Sequence, residues 1–204
     1  MNFLFVNPSI EDVIRLLRAW RLWILGAAIG ALIGAVTYYI APPPYRAKAT
    51  VNVDFNLEQA WPKDTDRQQF YYLERETRKL EELAWHDEVM KDLSVQSSIS
   101  IEELRAGKLV LSQPSEAGWH FYADDVDPQV AEQLASAWAE AFVQKVQANI
   151  QAGNINEFLK LEVTQAADLP KERSVSLSEY LLAGSTGFLM LAVFILLFIK
   201  PKNQ

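Results

Sequence analysis

Apolar and polar positions divide this chain into three blocks. Leu22 to Ile40 and Tyr180 to Ile199 are long runs without a charge, and a polar, charge-rich stretch lies between them. An α-helix needs roughly 20 residues to cross a hydrocarbon core of about 30 Å, so each run predicts a membrane span. Two crossings put both termini on one side. Arg15, Arg18 and Arg21 before the first run, with Lys200 and Lys202 after the second, assign that side to the cytoplasm. The chain then reads as a leader (1–21), a first span (22–40), an extracytoplasmic domain (41–179), a second span (180–199) and a tail (200–204). A cleaved signal peptide is the alternative for the first run. Its end, Tyr38-Tyr39-Ile40 followed by Pro42-Pro43-Pro44, lacks the small-residue cleavage site and reads as an aromatic interfacial belt.

The leader carries its own pattern. Ser9 with Asp12 resembles a helix cap, and Ile10, Val13, Ile14 and Leu17 recur at helical spacing, predicting an amphipathic helix on the inner membrane surface with its arginines toward phosphate head groups.

Between the spans the period changes repeatedly. Ala47, Ala49, Val51, Val53 and Phe55 alternate with polar residues, which predicts a strand with one wet face. From about Asp66 the spacing becomes helical: Phe70, Leu73, Thr77, Leu80 and Ala84 mark one face, continued by Trp85, Val89 and Leu93. Lys108 to Ser112 and Trp119 to Ala123 predict two strands joined by a turn-rich connection through Pro114 and Gly118. Asp127-Pro128 then starts a helix, with Asp as cap and Pro at the first helical position. Its buried stripe is Leu134, Trp138, Phe142 and Val146, and it stops at Gly153-Asn154. Leu159, Leu161 and Val163 alternate as a last strand. The expected fold is therefore α+β: two transmembrane helices flanking a ferredoxin-like (βαββαβ) extracytoplasmic domain.

Composition narrows the chemistry. The chain has no cysteine, which removes disulfides, thiolate catalysis and Cys-ligated metals. Its formal charge is −7, and because the ends are basic the acidity belongs to the middle, which argues against nucleic acid as a partner. His86 and His120 are the only histidines and have no metal-ligand spacing. Asp124, Asp125 and Asp127 form a D-D-x-D cluster of the kind found in metal-dependent sugar transferases, but their place just before a helix explains them as cap and N-terminal charge. No phosphate-binding glycine loop and no nucleophile with a supporting base is present, so no catalytic, cofactor or metal residue is assigned. Among the tryptophans, Trp119 and Trp138 fall at core positions. Trp61, beside Pro62 and Lys63, is the candidate for stacking on a sugar.

Gly26, Gly30 and Gly34 repeat every four residues on the first span with alanines adjacent, and Gly184 and Gly187 offer a similar surface on the second. Such faces let helix backbones approach closely. They suit pairing of the two spans of one subunit, contact with neighbouring subunits, or attachment of another membrane protein.

The chain also resembles the polysaccharide co-polymerases, the Wzz-type chain-length determinants of bacterial inner membranes. The resemblance rests on Pro44-Tyr45-x-Ala47 directly after the first span, on Asp127-Pro128 with Ala131, Leu134-Ala135 and Trp138-Ala139, and on Ala167-Asp168-Leu169-Pro170 before the second. It runs from leader to C-terminus. Where family members continue with prolines at a spacing of three, this chain has Arg173 and Ser176. The helix from Pro128 spans about 25 residues, roughly 37 Å, so the chain is similar to a short form without the long helical arm. The resemblance implies a non-enzymatic homo-oligomer in the inner membrane, acting beside a polysaccharide polymerase on a lipid-linked polysaccharide. It also brings two alternatives, an adaptor for a tyrosine kinase and a structural subunit of an export complex. The tail from Lys200 to Gln204 is short for kinase docking.

Overall fold

In a computed structural model the described residues are 14, 17–60, 66–113 and 118–198. The expected leader helix around Ser9 to Val13, Trp61, the connection at Pro114 and the tail from Lys200 lie outside them. Two units are distinct: one holds the two long apolar helices, and the other runs Pro44–Ser174.

The second unit is mixed α/β and built on a four-stranded antiparallel sheet. Strand β1 (Tyr45–Asp54) alternates as expected, burying Ala47, Ala49 and Val51. Strand β3 (Trp119–Asp125) buries Trp119, Phe121 and Ala123 on the same face. The two pair from Tyr45↔Asp125 to Val51↔Trp119, which sets Ala49 opposite Phe121, Val51 opposite Trp119 and Ala47 opposite Ala123. Strand β2 (Leu109–Ser112) adds to the outer edge of β3, and β4 (Lys160–Gln165) to the outer edge of β1, giving the order β2-β3-β1-β4. Gly118 immediately precedes β3, and its φ of 73° and its position 2.8 Å from the Val51 carbonyl oxygen, measured from an added Cβ, exclude a side chain.

One helix, Pro128–Gln151, packs on the apolar face, and two more pack against it. Helices α2 (Asp66–Ala84) and α3 (Asp87–Ser97) follow β1, and α4 (Pro128–Gln151) follows β3; α1 is given below. Asp127 caps α4 through Oδ1, which accepts from the Gln129 amide at 2.8 Å. The predicted stripe is buried, joined by Ala131, Ala135 and Ala139, whose small size lets the helix lie close on the sheet. At the core, the Trp138 ring lies 4.8 Å from Trp85 and 4.9 Å from Phe121 by centroids, and Phe142 stacks on Trp119.

The helical stretch after Asp66 differs from the expectation in two ways. It breaks at Trp85-His86, where His86 turns extended and its Nδ1 accepts from the Glu88 amide, capping α3 with Asp87 and Glu88 in the first turn. Phe70 is also not on a buried face. It is 67% exposed, and among the described side chains of α2 only Glu76, Leu80 and Ala84 are buried, because periodicity identifies an apolar stripe without saying how far a partner extends beside it.

In the other unit, α1 (Trp20–Ile40) and α5 (Leu177–Phe198) are long and apolar enough to cross a membrane. Helix α5 starts three residues before the apolar run. Ser176 and Glu179 form a reciprocal capping box there: Ser176 N donates to Glu179 Oε2 at 2.7 Å, and Glu179 N donates to Ser176 Oγ at 3.3 Å.

Candidate functional site

The glycine faces join the two long helices to each other. A Cβ placed on Gly30 would fall 2.3 Å from the Gly184 carbonyl oxygen, one on Gly184 2.2 Å from that of Gly30, and one on Gly34 2.3 Å from that of Tyr180. Backbone meets backbone at these three positions, as small-residue packing requires. Gly26 is looser, with Ala192 Cβ and the Phe188 oxygen at 3.8 Å, and Gly187 has nothing within 4 Å. The Ser185 hydroxyl lies 2.7 Å from its own helix's Leu181 oxygen and 3.3 Å from Ala27 O across the pair. At one end the Tyr38 and Tyr180 rings meet edge-on, 5.5 Å apart.

The three sequence stretches singled out in the polar block come together at one end of the sheet. Tyr45 pairs in register with Asp125, and the Asp125 carboxylate accepts from the Asp127 amide at 2.9 Å, next to Pro128. Tyr45 also bridges to Arg173, whose guanidinium lies 4.6 Å from the Tyr45 ring centroid, and Ser174 N donates to Pro44 O at 2.8 Å. Ala47 is buried in the sheet, and Ala167 is buried where its amide donates to Ser136 Oγ of α4 at 3.1 Å, setting the course of Asp168, Leu169 and Pro170. Only Ala41, Pro42 and Pro43 separate Pro44 from α1, and only Val175 and Ser176 separate Ser174 from α5.

The aspartates do not converge. Asp124 holds Arg46 through two hydrogen bonds of 2.7 and 2.6 Å, Asp125 holds Lys108 at 2.5 Å, and Asp127 caps α4. Among the described residues no group of three or more His, Asp or Glu is placed to hold a metal ion. Burial works against the Asp125 charge, but the Asp127 amide, Lys108 and the Val126 amide together outweigh it and hold the carboxyl below its usual range. Lys108 behaves conversely: burial lowers its pKa, and bonds to Asp125 and Glu103 more than restore it. A carboxylate with a depressed folded-state pKa stabilises the fold above the unfolded pKa of about 3.9, and that contribution is lost as pH falls through the folded value. Asp125→Asn should therefore lower stability at neutral pH by about 1–3 kcal/mol, since Lys108 loses its ionic partner, and should flatten the acid limb of stability. Chemical denaturation from pH 7 down to the acid transition measures both.

The sheet face away from the helices is uncovered. Arg46, Lys48 and Thr50 of β1 lie across from Asp124, Tyr122 and His120 of β3, and Val110 and Ser112 of β2 continue the last two rows. His120 is held below the usual imidazole range by burial and by Lys48, and its Nδ1 sits 3.1 Å from Thr50 Oγ1. The segment Asp168–Ser174 borders this face. Between it and Arg46 and Tyr122 lies an open cleft of about 840 Å³, lined by those two residues with Leu169, Lys171, Glu172 and Arg173 among others. The sequence pattern singles out neither Arg46 nor Tyr122; the pairing of β1 with β3 and the return of residues 168–174 make the cleft.

Compared with family models and with curated proteins, the chain matches none.

Proposed function

We propose that this chain is a non-enzymatic membrane scaffold of the polysaccharide co-polymerase type, a short Wzz-like chain-length determinant that modulates polymerisation of a lipid-linked bacterial surface polysaccharide. The observation that carries the reading is the sheet order β2-β3-β1-β4. With a helical crossover after β1 and another after β3, it fits the split βαβ, ferredoxin-like arrangement. The segments that enter and leave it are tied together by the Ser174–Pro44 hydrogen bond, next in sequence to two glycine-packed apolar helices. This is the arrangement the resemblance implies, and its three motif stretches meet at that junction.

In this reading α1 and α5 span the inner membrane, the unit from Pro44 to Ser174 is periplasmic, and both termini are cytoplasmic. Close packing of α1 on α5 uses the glycines within one subunit, so homo-oligomer contacts fall to other surfaces. Phe70 and Tyr71, 67% and 66% exposed on α2, support such a contact, since neighbouring aromatic rings are costly to leave in water.

Deleting the gene should leave polymer synthesis running while shifting the chain-length distribution on a gel. Complete loss of polymer would favour the export-subunit reading, and loss of tyrosine phosphorylation on a partner kinase the adaptor reading.

A further inference from the structure

The packing of the domain gives the sheet face away from the helices no role, and the segment Asp168–Ser174 turns one end of it into a cleft. We propose that this cleft binds a neutral, hydroxyl-rich stretch of glycan, a section of the growing polymer; this occupant rests on the function proposed above.

Three observations point to that ligand class. The first is charge balance. Arg46, Lys171 and Arg173 line the cleft with Asp168 and Glu172, and Asp124 binds Arg46 through both carboxylate oxygens, so cations and carboxylates are equal in number. A phosphate or an anionic head group needs a surplus of positive charge, whereas a sugar needs donors and acceptors interspersed, as they are here. The second is the aromatic floor. Tyr122 is half-buried on the sheet with the Arg46 guanidinium over its ring, 5.7 Å from the centroid, and this stacked pair offers an apolar surface with polar tips, which suits a pyranose whose C–H face is apolar and whose rim is hydroxylated. The third is rigidity. Arg46 is fixed by Asp124, Tyr122 by strand pairing on both sides, and the bordering segment by the Tyr45–Arg173 bridge and the Ser174–Pro44 hydrogen bond, so the cleft is formed before a ligand arrives.

A protein partner fits less well. Val110 and Leu169 are exposed on or beside this face, but two aliphatic side chains do not make the apolar centre of a stable interface.

The test uses the full-length chain in lipid nanodiscs. The probe is short oligosaccharide released by mild acid from the polymer whose length distribution changes on deletion, with binding followed by saturation-transfer NMR and calorimetry. Wild type should bind the fragments equally at low and high salt. Tyr122→Ala should weaken binding about tenfold. Lys171→Ala, an exposed change that leaves the sheet intact, should weaken it about threefold, the loss of one hydrogen bond. Tyr122→Phe should retain most of the affinity. If wild type fails to bind, or all variants bind alike, the cleft assignment falls while a deletion phenotype would keep the function standing. Displacement of the fragments by inorganic phosphate, or collapse of binding with salt, would overturn the neutral-glycan class in favour of an anion site. If deletion leaves polymer length unchanged, the function itself fails, and the growing polymer fails as occupant with it.

Discussion

Gly30→Leu is expected to drive the two long helices apart. A leucine Cβ would sit 2.3 Å from the Gly184 oxygen, 2.7 Å from the Gly184 carbonyl carbon and 2.9 Å from Phe188 Cβ, and two of those three atoms are backbone that no rotamer change can move. Overpacking where a side chain can yield costs about 1–3 kcal/mol. Here the helices must separate along the whole close stretch from Gly30 to Gly34, so the loss should be about 3 kcal/mol or more. The absence of native cysteine makes the measurement clean. Cysteines at Gly26 and Ala192, whose Cβ atoms would lie 3.8 Å apart as a disulfide requires, should form an intramolecular cross-link in an otherwise unaltered chain and fail to form it with Gly30→Leu. Gly187→Leu, with nothing within 4 Å, should leave the cross-link intact. Equal cross-linking in all three would show that the glycines do not set the helix spacing.

Trp138→Ala should be the most damaging single change in the Pro44–Ser174 unit. The side chain is fully buried among Trp85 and Phe121, and its Nε1 donates to the Ala84 carbonyl at 2.9 Å, satisfying an acceptor left over at the end of α2. Truncation leaves a cavity and an orphaned carbonyl, for about 3–5 kcal/mol against a total stability of about 5–15 kcal/mol for a domain of this kind. Trp138→Phe keeps most of the packing and loses the hydrogen bond, for about 1–3 kcal/mol. Denaturant unfolding of the detergent-solubilised protein, followed by near-UV circular dichroism, separates the two. A loss below about 1 kcal/mol for the alanine variant would mean that the ring is not the keystone of the core.

The elements that a local period defines were legible in the chain. The alternation of Ala47 to Val53, the Asp127-Pro128 start and the stripe from Leu134 to Val146 each carry their signal within a few residues, and each forms as expected. The two long helices were legible by length and lack of charge, although the apolar run does not show the Ser176–Glu179 capping box that advances the second. What escaped depends on partners far away in the chain. Phe70 fits a helical stripe with Leu80 and Ala84, yet its exposure depends on how far other helices extend beside α2. His86 followed by Asp87 and Glu88 is a helix start, hidden because Trp85 and Val89 keep the spacing of four across the break. The glycine face was visible, but its occupant was decided by Gly184 and Tyr180, some 150 residues further on by the same backbone argument. The cleft needed Arg46 to find Asp124 and Tyr45 to meet Arg173, pairings that no local pattern encodes.

Everything proposed for this protein depends on α1 and α5 crossing a membrane and placing the unit between them outside. A reporter that is active only in the cytoplasm, fused in turn to each terminus and inserted after Gln113, tests that directly. Activity at both termini and none at the insertion is the predicted result. Activity at the insertion, with the protein intact, would contradict the account.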